Sequence, residues 1–266
     1  MEIRPFAFLC LILIVFGSYA QEVITLNLKD DGFRGIWYFI GKTNNEYVHK
    51  YSGGLGTYPA NHYPFSVYSG KANKTFFCYG GASKDTKPSL LHEVAYFDHK
   101  TKSVSRPTIV LNKNTDDAHD NPVISIDKDG YIWLFSTSHG VNRPSFIHKS
   151  VKPFDIEKFE LVKATYLKDD KQKPFDNFSY LQIYYDNESG FMGFMTHYDT
   201  GVLTYGSNKP RRTSAFITSK DGISWSELKD IGAIQEGHYQ SSGYTYLPNG
   251  KVKYVTVFNY HPDTDK

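Results

Sequence analysis

Sulfur is scarce in this chain of 266 residues, which has two cysteines and three methionines. Cys10 lies inside an apolar N-terminal run, so Cys78 stands alone in the rest of the chain. No disulfide can form within residues 21–266, and the fold has to be held by its core. An excess of one charge is lacking as well: 30 Lys and Arg face 28 Asp and Glu, a formal net charge of +2. A near-neutral chain argues against a nucleic-acid partner, which needs concentrated positive charge. Neither a G-x-S-x-G elbow nor a P-loop occurs, which argues against the chemistry those turns support. Gly53-Gly54-Leu55-Gly56 is glycine-rich, but no helical pattern follows it, so it reads as a tight turn rather than a phosphate cradle.

Long apolar runs are absent too, apart from one at the start. Pro5 to Phe16 follows a short basic segment, Met1 to Arg4, and precedes the small residues of Gly17-Ser18-Tyr19-Ala20. That order is the pattern of a secretory signal peptide, residues 1–20, with cleavage expected after Ala20. The run is shorter than the roughly 20 residues a membrane-spanning helix requires. Cys10 lacks the small-residue setting of a lipoprotein cysteine. The expectation is a secreted or periplasmic chain, free of the membrane after cleavage, monomeric, and folded as one domain over residues 21–266. Lys168 to Lys173 (KDDKQK) is polar and reads as a solvated loop, not a linker.

Aromatic residues, by contrast, are abundant, with 21 Tyr and 19 Phe. Aromatic and β-branched residues suit pleated sheets, and Tyr and Trp faces also stack on sugar rings. Short alternating runs recur around turn chemistry: Ile124–Asp127 with Tyr131–Phe135, Tyr180–Tyr185 with Phe191–Met195, Ala215–Thr218 ahead of Ser219–Gly222, and Tyr244–Leu247 with Val252–Phe258. Each predicts a hairpin whose Gly or Asn takes the positive φ of the turn. No window has a convincing helical period, and a turn or two of helix is the most expected between Phe154 and Leu161. Hairpins at intervals of a few tens of residues predict an all-β protein, either a β-propeller or a sandwich. Two segments favour the propeller: Ser125 to Trp133 and Ser219 to Trp225 resemble the Asp-box of sialidase-like propellers. In that turn Asp and Ser oxygens bond loop amides and the Trp packs between blades, a structural role.

Histidine placement is the best chemical clue. His119 precedes one predicted strand and His139 follows the next, so the two flank a hairpin at strand ends, where propellers carry binding loops. Imidazole is the side chain suited to proton transfer near neutral pH; the bland reading is a pair of hydrogen-bonded loop histidines. Metal binding competes, with His119, Asp116, Asp117 and Asp120 as candidate ligands, but their spacing fits neither a zinc motif nor a calcium loop.

The strings FRGIW (33–37), GGLGTYPANHYPF (53–65), DDAHDNPVI (116–124), WLFSTSHG (133–140), FSYLQIYY (178–185), TSKDGISW (218–225) and EGHYQ (236–240) resemble the BNR-repeat family that includes propeller-type ulvan lyases. The resemblance implies a β-propeller, seven-bladed in the family, and β-elimination at a uronic acid of an acidic sulfated polysaccharide, ulvan. It implies that His119 and His139 are the paired histidines, that Tyr184 is the catalytic tyrosine with Tyr185 as the neighbouring alternative, and that Arg212, with Arg211 beside it, neutralises the uronate. Asn61, His62, His238 and Tyr239 are then expected to contact substrate. No cofactor is expected for catalysis; a structural metal ion is possible, with ligands unknown. Seven blades need more chain than this, so a fragment or an incomplete propeller is expected.

Two other readings stay open. The Asp-box segments suggest a sialidase-like glycoside hydrolase, although FRGIW lacks the Arg-Ile-Pro string that class shows near its start. The short chain suggests a non-catalytic carbohydrate-binding propeller fragment.

Overall fold

The computed structural model of the chain describes residues 25–33, 40–42, 49–51, 62–203, 210–230, 239–246 and 252–259, with side-chain surroundings over 25–33, 62–198 and 214–229. The expected signal peptide, Asn61 and His238 lie outside the described residues, as do the side chains of Arg211, Arg212 and Tyr239.

The architecture is all-β and propeller-type. The chain enters as β1 (Thr25–Lys29) and a short hairpin, β2 (Ile40–Lys42) with β3 (His49–Tyr51). A first blade follows: β4 (Ser66–Ser69), β5 (Lys74–Ala82), β6 (Leu90–Asp98) with the small β7 (Ser103–Val104), and β8 (Thr108–Asn112), whose outer edge takes up β1. The second blade is a plain antiparallel meander of β9 (Pro122–Ile126), β10 (Ile132–Ser136), β11 (Phe146–Ser150) and β12 (Phe159–Val162). The hairpin β13 (Thr165–Lys168) and β14 (Lys171–Pro174) then precedes the third blade. That blade runs β15 (Ser179–Asp186), β16 (Gly190–Leu203), β17 (Pro210–Ser219) and β18 (Ser224–Glu227), with β19 (Lys229–Asp230) beside β17. β13 joins its outer edge by pairing parallel with β18. A further hairpin, β20 (Tyr239–Tyr246) and β21 (Val252–Asn259), follows. The first strands lie side by side, β4 on β9, β9 on β15 and β15 on β20.

The blades are glued by strand alternation. Successive residues of a strand face opposite sides, and β10 is apolar on both. Ile132 and Leu134 pack with Phe76, Cys78, Val94 and Val110 of the first blade. Trp133 and Phe135 pack with Leu181, Ile183, Phe191, Ile217 and Trp225 of the third. Both Asp-boxes serve this packing. Asp127 accepts from the amides of Asp129 (3.1 Å) and Tyr131 (2.9 Å) and from the Trp133 indole (2.9 Å). Asp221 accepts from the amides of Ile223 and Ser224, both at 2.8 Å, while the Trp225 indole donates to the Gly222 carbonyl at 3.0 Å.

Two expectations need correction. The region expected to hold helical turns ends in strand β12, because Asn27 bonds both the Phe159 amide (2.8 Å) and its carbonyl (2.9 Å) and fixes an extended backbone. The segment read as a solvated loop is the tip of the β13–β14 hairpin. Asp169 (φ 50°) and Asp170 (φ 56°) supply the two positive angles that a tight hairpin turn demands. Among the described residues the single helical element is a 3₁₀ turn, Ala118–Asp120, and no helix is long and apolar enough to cross a membrane.

Candidate active site

At one end of the second blade, the 3₁₀ turn before β9 meets the loop after β10. Asp117 caps the turn, accepting from the His119 amide at 3.0 Å. The same oxygen, Oδ1, accepts from Nδ1 of the His119 ring at 2.6 Å. Its second oxygen, Oδ2, accepts from Nδ1 of His139 at 3.0 Å. The two imidazoles stack, with centroids 4.3 Å apart and planes 20° apart. The flanking histidines expected at the two ends of a hairpin are therefore brought into contact by Asp117, which the sequence offered only as a candidate metal ligand.

A buried charge network sits behind them. Asp120, fully buried, accepts from the His139 amide at 2.9 Å, from Arg143 Nε at 2.9 Å and from Arg143 Nη2 at 2.8 Å. Arg143 Nη2 also donates to Asp117 Oδ2 at 2.8 Å. Lys113, buried, lies 3.4 Å from Asp120 and donates to the Pro144 carbonyl at 2.7 Å. Burial pushes the Lys113 ammonium down to about 8, against the opposing pull of Asp120. Burial alone would raise the Asp117 carboxyl, but the hydrogen bonds from both histidines outweigh it and hold the group well below the usual carboxylate range. Desolvation lowers the His119 imidazole below its ordinary value, although the bond to Asp117 works in the other direction.

The rest of the site comes from distant segments. His62, buried, donates from Nε2 to the His119 carbonyl at 3.1 Å, so this expected contact joins the group. Tyr180, buried and at φ 51°, stands edge-on to both imidazoles, at 5.9 Å from His119 and 5.8 Å from His139. Its ring was not anticipated. The bulge between Ser179 and Gln182 re-aims it, and no local pattern announces such a bulge. Tyr184 lies further along β15, buried, against Tyr63 at 5.7 Å and Phe194 at 6.1 Å. Tyr185 turns to the opposite face and packs at 4.7 Å against Phe191 beside the inter-blade core. The backbones of Arg211 and Arg212 lie in β17, in register with Asp199 and Tyr198. Among the described side chains, Arg143, four residues past His139 in the same loop, is the arginine that touches the clamp; its nearness in sequence was the available signal.

Asp117, His119 and His139 hold donor atoms within 4.8 Å of one another, a spread that a metal ion could bridge. Nδ1 of each ring and both Asp117 oxygens are joined at hydrogen-bond separations. The Arg143 guanidinium, against the same carboxylate, opposes a second cation. In this arrangement Nδ1 of each ring is engaged by Asp117.

Beside the clamp opens a cavity of about 630 Å³. Val141, Arg143 and Pro144 form one wall, Lys168 and Lys173 of the β13–β14 hairpin another, and His197 and Tyr198 of β16 a third. Tyr198 comes so close to Gly140, next to His139, that a Cβ there would lie 3.9 Å from its ring. The cavity wall thus includes Val141 and Arg143 of the loop that carries His139.

Among the solved structures that resemble the chain are two polysaccharide lyases. One is described as "Structure of a new family of Polysaccharide lyase PL25-Ulvanlyase", with a TM-score of 0.56 and 15% identity over 78% of this chain and 48% of that one. The other carries the same description "bound to -[GlcA(1-4)Rha3S]-", with a TM-score of 0.54 and 17% identity over 79% of this chain and 48% of that one. The chain thus spans about half the length of the structures it matches. No curated protein sequence matches it. Residues 82–260 match the family described as "BNR repeat-containing family member", and the chain, with its inter-blade tryptophans and Asp-box turns, belongs to that BNR-repeat family.

Proposed function

We propose that this propeller binds an acidic sulfated polysaccharide of the ulvan kind and cleaves it by β-elimination at a uronic acid. The observation that carries the reading is the stacked His119–His139 pair held on Asp117, whose partner Arg143 also lines a cavity of about 630 Å³. In the reaction an imidazole of the pair accepts the C5 proton at Nε2, since Nδ1 is engaged by Asp117. The C5–H electron pair forms the C4=C5 double bond, and the C4–O4 bond breaks with its electrons going to O4. Tyr184 is the candidate that protonates O4. A cation near the uronate carboxylate acidifies C5 and stabilises the charge that develops; Arg212 is the residue proposed for this. Desolvation favours the neutral, base-competent form of His119 near neutral pH.

The net charge of +2 argues against a nucleic-acid partner. The basic–apolar–small pattern of residues 1–20 supports export to the periplasm or the medium. The proposed lyase acts as a monomer and needs no cofactor.

Ultraviolet absorbance of ulvan incubated with the purified chain tests the reading, because elimination alone creates the unsaturated uronate. A rise that disappears in His119→Ala is expected. Saturated products would instead indicate a sialidase-like hydrolase, and binding without turnover a carbohydrate-binding propeller.

A further inference from the structure

We propose that Asp117 is a positioning residue that fixes the tautomer of both imidazoles at once, so that His119 and His139 act as one proton-handling unit. The catalytic consequence rests on the lyase reading; the tautomeric state does not.

An ionised carboxylate only accepts hydrogen bonds. Asp117 lies 2.6 Å from Nδ1 of His119 and 3.0 Å from Nδ1 of His139, so each ring must carry its proton on Nδ1 to make these bonds. In the neutral state both Nε2 atoms are then acceptors. The carboxylate cannot turn to release one ring. Oδ1 is held by the amide and ring of His119, and Oδ2 by the His139 ring and Arg143. Arg143 is fixed in turn by two bonds to Asp120, which also holds the His139 amide.

Stacking sets the charge the unit can carry. Two imidazolium rings with centroids 4.3 Å apart would repel strongly, whereas one positive ring next to a neutral one is sustained by Asp117. Among the described residues, the charged and titratable groups around the pair are Asp117 and Asp120 of the 3₁₀ turn and its cap, Arg143 from the β10–β11 loop, Lys113 beyond β8, and His62 and Tyr180. The two carboxylates balance Arg143 and Lys113, so one added proton is tolerated and a second is opposed. Orienting carboxylates behind catalytic or metal-bound imidazoles work on the same principle.

Nitrogen-15-resolved NMR of the histidine side chains in the intact chain tests this directly. Above their titration range, His119 and His139 are both expected as Nδ1–H tautomers. An Nε2–H signal for either one overturns the proposal, whether or not the chain is a lyase. Asp117→Asn supplies the second readout. An amide offers one acceptor oxygen and a donating NH₂, so it can keep at most one of the two ring bonds. One ring should then switch tautomer, and in an active lyase kcat should fall about 10²–10³-fold with KM little changed, between the losses for outer-shell and triad carboxylates. Retention of both tautomers and of full kcat in a folded Asp117→Asn protein would refute the assignment.

Discussion

Gly222 has no room for a side chain, because Trp133 of the neighbouring blade occupies it: a Cβ at Gly222 would lie 2.6 Å from the indole ring. The turn of one Asp-box is thereby fitted to the tryptophan of the other, and Gly222 also takes a φ of 75°, which side-chain-bearing residues rarely adopt. Gly222→Ala is expected to destabilise the fold by about 1–3 kcal/mol through strain and inter-blade overpacking. Urea denaturation of the two proteins compares the midpoints; equal midpoints would show that the blades can part at no cost.

The two tyrosines of β15 should separate by function. Tyr180→Phe keeps the edge-on ring beside both imidazoles and should leave most activity in place. Tyr184→Phe removes the proposed proton donor and should lower kcat about 10²–10⁴-fold. Initial rates of unsaturated-uronate formation distinguish the two, and the opposite ranking would transfer the role to Tyr180.

Lys168 and Lys173 line the cavity beside the clamp, on a hairpin whose second strand is exposed throughout. Replacing both by Ala should raise KM for a polyanionic substrate about 3–10-fold at low ionic strength and leave kcat nearly unchanged, with the difference shrinking as salt is added. A change in kcat at unaltered KM would argue that the polymer runs elsewhere.

Acid should weaken the fold before it reaches the ordinary carboxylate range. His148 is buried, with Nε2 bonded to Thr25 Oγ1 at 3.0 Å and Nδ1 unpartnered among the described residues. Desolvation lowers it to about 4. Burial likewise takes His92, which shares a 2.7 Å bond with Ser136, well below its usual value. The folded pKa values are depressed, so stability is complete above the unfolded value of about 6.5 and is lost as pH falls towards the folded value. Each histidine contributes up to about 1.4 kcal/mol per pH unit in that window. Urea midpoints at pH 7 and pH 5 should differ accordingly, and His148→Gln should reduce the difference.

Chelation is expected to leave the proposed reaction untouched, since Nδ1 of each imidazole is engaged by Asp117 and the Arg143 guanidinium stands against the same carboxylate. Dialysis against a strong chelator followed by rate measurement decides the point; activity restored only by an added divalent cation would mean that the clamp opens to hold one.

Much of this was legible in the sequence because the signals are local. The hairpins show in the alternation of Ile132-Trp133-Leu134-Phe135 and in Gly130, Gly190 and Gly222, whose φ angles are all positive. The pairing of His119 with His139 follows from their places at the ends of one hairpin. What the sequence could not reveal depends on where the chain goes in space. Asp117 looks like any turn carboxylate until two rings converge on it. Tyr180 is aimed by a bulge, and His62 arrives from a segment far away in sequence. Tyr184 and Tyr185 could be placed on opposite faces, but which face met the core awaited the packing of Phe191.

Four consecutive residues bind the three blades together. The Phe65 carbonyl accepts from Cys78 of the first blade at 2.9 Å, and the Pro64 carbonyl from Ile124 of the second at 3.0 Å. Tyr63 exchanges bonds with Leu181 (3.1 Å) and Ile183 (2.8 Å) of the third. His62 leads this segment into the site. Such a rivet can close only when all its partners are in place, and the sequence separations make it costly to form early. Turnover should therefore report the assembly state of the propeller. During refolding it should return later than the sheet signal in circular dichroism, and during unfolding it should vanish first, whichever blade loosens.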